Sequence, residues 1–226
     1  LREVKGKEPL TFGRNPKNRI WAEDVVNKGL FGSEAVIRLG QERLPVRIPL
    51  PGEHMIYNAL AAAAAGSLLG LSGEEICRGI AAVSATKGRS HVIRLEDWVL
   101  IDDCYNANPV SMEAALDLLC LAEGRTVAIL GDMFELGEKE RQMHGRVGRY
   151  AAEKGVDCIL AAGSLSCSLC GEAEKYGCRE VHHFEDRDSL MEALDGLLFP
   201  GDTILVKASH GMGYEKIVEM LCGRKV

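Results

Sequence analysis

Four short apolar runs, Val99–Ile101, Val127–Leu130, Cys158–Ala161 and Ile204–Val206, constrain this 226-residue chain more than any other feature. Each is followed by a stretch with helical periodicity. Runs this short and this continuously apolar read as strands buried on both faces. The segments between them, roughly 20 to 40 residues long, leave room for crossover helices, so the strands are expected to be mainly parallel and joined by right-handed connections. The expectation is an α/β domain with a Rossmann-like sheet and helices on both faces. In such sheets ligands sit beyond the carboxyl ends of the strands, which makes the residues directly after each run the first candidates for a site.

The region upstream reads differently. Alternating stretches such as Glu34–Leu39 and Leu44–Pro49, punctuated by glycine, asparagine and proline, predict strands and turns. An alanine- and leucine-rich stretch over Asn58–Leu71 predicts a helix, and Ser72 with Glu75 forms the capping-box signature that opens a second. The helical pattern stops around Lys87-Gly88-Arg89, which places a domain boundary there and divides the chain into 1–87 and 88–226. Two moderate domains suit the length.

Composition excludes several classes. A formal net charge of -6 argues against a general nucleic-acid or anionic-membrane binder. The longest apolar run, Ala59–Ala65, is too short to insert into a bilayer. The eight cysteines lie mostly in apolar runs, as small buried hydrophobes do in a reducing compartment, so a cytoplasmic protein is expected. The chain opens on Leu1 without a secretory signal pattern, and this start reads as a cut.

Several constellations carry chemistry, each with a plainer alternative. Asp102-Asp103-Cys104-Tyr105-Asn106-Ala107-Asn108-Pro109 follows the first run, with Asn108 placed as a helix N-cap and Pro109 at the first helical position. Its carboxylates suit ribose hydroxyls, a metal or an ammonium group, or else one caps a turn and the other is solvated. Gly131-Asp132-Met133-Phe134-Glu135-Leu136-Gly137 follows the second run, and its acids serve either a site rim or a helix dipole. His144 is expected to be an exposed helical residue without a catalytic role. Lys207-Ala208-Ser209-His210-Gly211 follows the last run and either cradles an anion or only turns tightly. His54 and Asn58, four residues apart, share a helical face that meets a ligand or simply opens a helix. Arg89 suits bidentate phosphate binding or a salt bridge. Cys167-x-x-Cys170, with no second such pair, is expected to be structural rather than a zinc site.

Taken together, Gly52-Glu-His54 with Asn58-Ala-Leu-Ala-Ala-Ala, Lys87-Gly-Arg89, the Asp102–Met112 string, Gly131–Gly137 and Gly201–Lys207 resemble the Mur ligases, in order and spacing, over nearly the whole chain. The resemblance implies a three-domain enzyme in which residues 1–87 are the distal part of the central ATPase domain and 88–226 the carboxy-terminal Rossmann-like domain. The Gly-x-x-Gly-Lys-Thr loop that would hold ATP phosphates does not occur, so this stretch alone is expected to be inactive. It implies ATP-dependent addition of D-alanyl-D-alanine to UDP-N-acetylmuramoyl-tripeptide in peptidoglycan precursor synthesis, through an acyl phosphate and with Mg2+ screening the phosphates.

Carried over position by position, the resemblance makes Arg89 catalytic at the terminal phosphate. It puts His54, Asn58, Asp103, Tyr105 and Asn106 at the nucleotide, and Asn108, Asp132, Lys207 and Ser209 at the substrates, with no protein ligand to a metal. Two positions depart from the pattern: His210 stands where arginine is expected, and Met55 where asparagine is. Two rival readings are another ligase of the superfamily, such as a folylpolyglutamate synthase, and a non-catalytic binding module. A dimer through an open sheet edge of the first domain is a further expectation.

Overall fold

The structure, a computed structural model, describes residues 8–223; Leu1 lies outside them. The chain forms two compact units, the first ending at Ser84 and the second beginning at Ala85. The break falls a few residues before the boundary drawn from sequence.

In the first unit, β1 (Phe12–Gly13) pairs in parallel with β2 (Ile20–Asn27), which continues antiparallel into β3 (Ser33–Leu39) and β4 (Glu42–Ile48). Alternation puts Ile20, Ala22, Ala35, Ile37, Val46 and Ile48 on one face. That face is covered by α1 (His54–Leu68) and α2 (Gly73–Ala81) through Ile56, Leu60, Ala63, Ile76 and Ile80. The expected capping box opens α2: Ser72 Oγ accepts from Glu75 N–H, and Ser72 N–H donates to Glu75 Oε2 at 2.8 Å. The first helix begins four residues earlier than its alanine pattern suggested. The outer strands of this sheet are β1 and β4, and β4 carries Glu42, Arg43, Arg47 and the donor-less Pro45.

The second unit is built on a six-stranded sheet ordered β5-β6-β10-β7-β8-β9. The strands are β5 (His91–Arg94), β6 (Val99–Asp102), β7 (Thr126–Gly131), β8 (Cys158–Ala162), β9 (Glu180–Phe184) and β10 (Thr203–Lys207). All pairs are parallel except β5 with β6. Helices α3 (Pro109–Leu119), α4 (Glu140–Glu153), α5 (Ser166–Lys175), α6 (Arg187–Leu197) and α7 (Glu215–Gly223) complete it. Leu100, Val127, Ile129, Leu160, Ile204 and Val206 share a core with Leu190 and Leu194 of α6 and Ile217 and Leu221 of α7. The intervening Ile101, Ala128, Leu130, Ile159 and Leu205 are equally buried on the other face, where α3 and α5 meet the sheet. The doubly covered sheet is why these strands read as unbroken apolar runs.

Two strands were not legible. β9, Glu-Val-His-His-Phe, is only half buried at the sheet edge, and β5 is a short antiparallel addition to the opposite edge. Insertion of β10 between β6 and β7 brings the last loop of the sheet to its centre.

Candidate functional site

In the first unit, Gly52 adopts a φ of 101°, and the His54 ring lies over its α-carbon so closely that a Cβ there would stand 2.6 Å from the ring. Only glycine fits both demands. His54 and Asn58 are exposed on α1, and Asn58 Nδ2 donates to the Met55 sulfur at 3.3 Å. Beside them, Ile48, Pro49, Leu50, Met55, Asn58 and Val83 help line an apolar cavity of about 180 Å3. Its wall is hydrocarbon with one amide.

In the second unit, the loops after β6, β7 and β10 cross the carboxyl edge of the sheet and are tied to one another. Lys207, 2% exposed, is the central tie. Its ammonium donates to Asp103 Oδ2 at 2.6 Å, to Asn106 O at 2.9 Å and to Asp103 O at 3.4 Å. Asp103 Oδ1 in turn accepts from the Ser90 N–H at 2.7 Å, while Asp102 accepts from the Gly88 N–H at 2.8 Å. These bonds fix both the 102–108 loop and the segment carrying Arg89. Asn108 caps α3 in a reciprocal capping box with Ser111, with Pro109 opening the helix as expected, and its amide nitrogen donates to no described residue.

The outcome is a small platform. The Arg89 guanidinium lies over the Tyr105 ring, 4.3 Å from its centroid, and His210 approaches the same ring at 6.1 Å. Tyr105 is 53% exposed, and Arg89 has no ion-pair partner among the described residues. A guanidinium fixed this way keeps its fork free for an anion. Cys104, in the same loop, is no nucleophile: burial, with the Asp102 carboxylate bonded to its sulfur, pushes its thiol up to about 12.

Asp132, Lys207 and Ser209 were expected at the substrate, but their polar groups are engaged inside the unit. The buried Asp132 carboxylate accepts from Ser166 N–H at 2.8 Å, Ser166 Oγ at 2.7 Å and Leu165 N–H at 3.3 Å, holding the start of α5. Ser209 Oγ accepts from Phe134 N–H at 2.8 Å, and Ser209 N–H donates to Asp132 O at 3.1 Å. These bonds shape the loops at the carboxyl edge of the sheet. His144 was expected to be exposed and is fully buried. Its Nε2 accepts from the Met133 N–H at 2.8 Å, so the ring proton is on Nδ1 and is donated to Glu140 O at 2.7 Å. The spacing of His144 carries no trace of this, because its partner lies in the preceding loop. Replacing it with phenylalanine fills the space but strands the Met133 N–H, at an expected cost of about 2 kcal/mol. Urea unfolding measures the loss; an unchanged midpoint and slope would count against this role.

Cys167 is exposed and Cys170 buried on α5, and all eight cysteines are free thiols. No group of three or more His, Cys, Asp or Glu side chains able to hold a metal ion occurs among the described residues. No helix among them is long and apolar enough to cross a membrane.

Comparison with known proteins identifies relatives of both units. Residues 88–210 match the glutamate ligase domain of Mur ligases, and residues 1–66 match the Mur ligase middle domain. The UDP-N-acetylmuramoyl-tripeptide–D-alanyl-D-alanine ligase of Treponema pallidum is 39% identical over 203 residues, covering 88% of this chain and 43% of that protein. The crystal structure of MurF from Acinetobacter baumannii superposes with a TM-score of 0.81 at 28% identity, over 95% of this chain and 47% of that one. The MurF ligase of Thermotoga maritima, solved in complex with ADP, shares the fold at 22% identity and a TM-score of 0.66, over 93% of this chain and 47% of that one. The chain thus spans about half the length of the relatives it matches. With its two matched segments covering most of its length, the chain belongs to the Mur ligase family.

Proposed function

We propose that this chain supplies the carboxy-terminal domain and the distal part of the central domain of an ATP-dependent ligase that adds D-alanyl-D-alanine to UDP-N-acetylmuramoyl-tripeptide. The observation that carries the reading is the Arg89–Tyr105 platform, held at the carboxyl edge of the sheet by Lys207 and Asp103. It occurs in a chain whose similarity to a ligase of that name runs over 88% of its length.

In the whole protein, a tripeptide carboxylate oxygen bonds to the γ-phosphorus of ATP as the bond to ADP breaks. The amine nitrogen then bonds to the acyl carbon, loses a proton, and inorganic phosphate leaves with the carbon–oxygen electron pair. Charge on the transferring phosphoryl group is what a free guanidinium stabilises, which is the catalytic role assigned to Arg89. Tyr105 stacks on it from the loop after β6, which also carries Asn106, and Asp103 sets that loop while remaining partly exposed toward a ribose. Asn108 turns an uncommitted amide outward toward the amine substrate. His54 and Asn58, beside an apolar cavity, suit the flat face and polar edge of adenine. The described residues offer Mg2+ no cluster of protein ligands, and no step here depends on it. Eight free thiols, six of them buried or half-buried, support residence in a reducing cytoplasm.

Substituting Arg89 with alanine in the whole protein is expected to lower phosphate release about 100-fold while leaving the fold intact. Lysine at the same place restores part of the rate, and the isolated 226-residue chain is silent. A loss below about threefold would remove Arg89 from the reaction.

A further inference from the structure

Away from the carboxyl edge of the sheet, an open groove of about 790 Å3 runs between α4 and α5, a volume in the range of small-molecule sites. Arg141, Arg146 and Arg149 of α4 line it, together with Ser168 and Glu172 of α5. Three guanidinium groups thus meet one carboxylate, in a chain whose formal net charge is -6. Arg141 and Arg149 stand four residues to either side of Gly145, which puts the three positions on one stripe of the helix. Glycine makes the room. A Cβ on Gly145 would stand 3.0 Å from Glu172 Cγ, and one on Gly171, across the groove, would meet nothing within 4 Å. Because neither carries a side chain, the arginines rim an open floor.

Most of the donors around this floor are uncommitted. Arg141 is exposed and makes no side-chain hydrogen bond or ion pair among the described residues, nor do the Gln142 amide and the Ser168 hydroxyl, which also line the groove. Arg149 engages Glu153 through Nε alone, at 2.7 Å, and its guanidinium lies 4.4 Å from the centroid of the Tyr176 ring. That stacking holds the group in place while its two terminal nitrogens donate to no described residue. Arg146 is the anchored member, with Nε and Nη2 on Glu113 at 2.8 and 3.1 Å. The lining carboxylate, Glu172, is itself held by Lys175 at 2.9 Å.

We propose that the groove between α4 and α5 binds a phosphate-bearing small molecule. The assignment goes beyond the ligase reading above and does not depend on it. One guanidinium fork matches the two oxygens of a planar carboxylate, whereas phosphate groups present oxygens in several directions at once. Arg141 and Arg149 reach the groove from points about 12 Å apart along α4, and the Ser168 hydroxyl comes from the facing helix, an arrangement that suits the second geometry.

The test titrates the isotopically labelled 226-residue chain with pyrophosphate and with citrate at constant ionic strength, following backbone and arginine side-chain resonances by NMR. Pyrophosphate is expected to saturate, with shifts gathered at residues 141–149 and 168–172, and to bind about tenfold more tightly than citrate. Replacing Arg141 and Arg149 together with glutamine is expected to weaken pyrophosphate binding roughly tenfold or more. Gly171→Glu removes no arginine but sets a carboxylate on the floor of the groove, and it is expected to abolish binding; Gly171→Lys, with the same bulk and the opposite charge, keeps it. Shifts that do not saturate, citrate bound as tightly as pyrophosphate, or undiminished binding in Gly171→Glu would each overturn the proposal.

Discussion

Replacing Lys207 with methionine destabilises the unit beginning at Ala85 by about 3 to 5 kcal/mol, the cost of leaving one member of a buried ion pair without its partner. Methionine retains most of the side-chain volume, so the loss is electrostatic rather than a cavity effect. The Asp103 carboxylate, whose side chain is 13% exposed, loses its 2.6 Å bond, and the carbonyls of Asp103 and Asn106 lose their shared donor. The 102–108 loop then keeps only the Asp103 N–H to Val206 O bond to β10, and the Tyr105 platform loses part of its support. Urea unfolding gives the number. Adding Asp103→Asn to the methionine variant is expected to recover part of the loss, because the stranded charge is gone while the Ser90 N–H keeps an acceptor. A loss below about 1 kcal/mol, the range of exposed salt bridges, would mean that Lys207 is not the tie described.

Gly148→Ala is the second large effect. Alanine is the better helix former by about 1 kcal/mol, so propensity alone predicts a gain on α4. The packing predicts the opposite. A Cβ on Gly148 would lie 1.9 Å from Leu169 O and 2.7 Å from its carbonyl carbon, backbone atoms of α5 that have no rotamer to retreat into. The helices must separate, at an expected net cost of about 3 kcal/mol. Gly171 in α5 is the control, since a Cβ there meets nothing within 4 Å, and its alanine variant is expected to gain up to about 1 kcal/mol. Thermal melts of the pair moving in the same direction would contradict the close α4–α5 contact.

The legible and illegible parts of this fold separate by the distance over which the information acts. The four apolar runs, the Ser72–Glu75 box and the Asn108-Pro109 helix start are local patterns, and each is found where it was read. β9 escaped because its Glu180 and His182 are half buried and its His183 exposed at an edge, leaving no hydrophobic alternation to detect. The site divides in the same way. The sequence identifies the loops that line the carboxyl edge of the sheet, but not which of their charged groups face outward. Asp132 caps a helix that begins more than thirty residues later, and Lys207 meets Asp103 across roughly a hundred residues. A string such as Gly-Asp-Met-Phe-Glu therefore could not show that its aspartate is engaged and its glutamate is free.

The central claim is that this chain serves a ligase that joins D-alanyl-D-alanine to a muramoyl tripeptide. Its most direct test is the mass of the product formed by the whole protein from UDP-N-acetylmuramoyl-tripeptide, D-alanyl-D-alanine and ATP. The account predicts a product heavier than the tripeptide substrate by one dipeptide less one water, formed together with ADP and phosphate. If no such product forms, or if glutamate is coupled in place of the dipeptide, the account is contradicted.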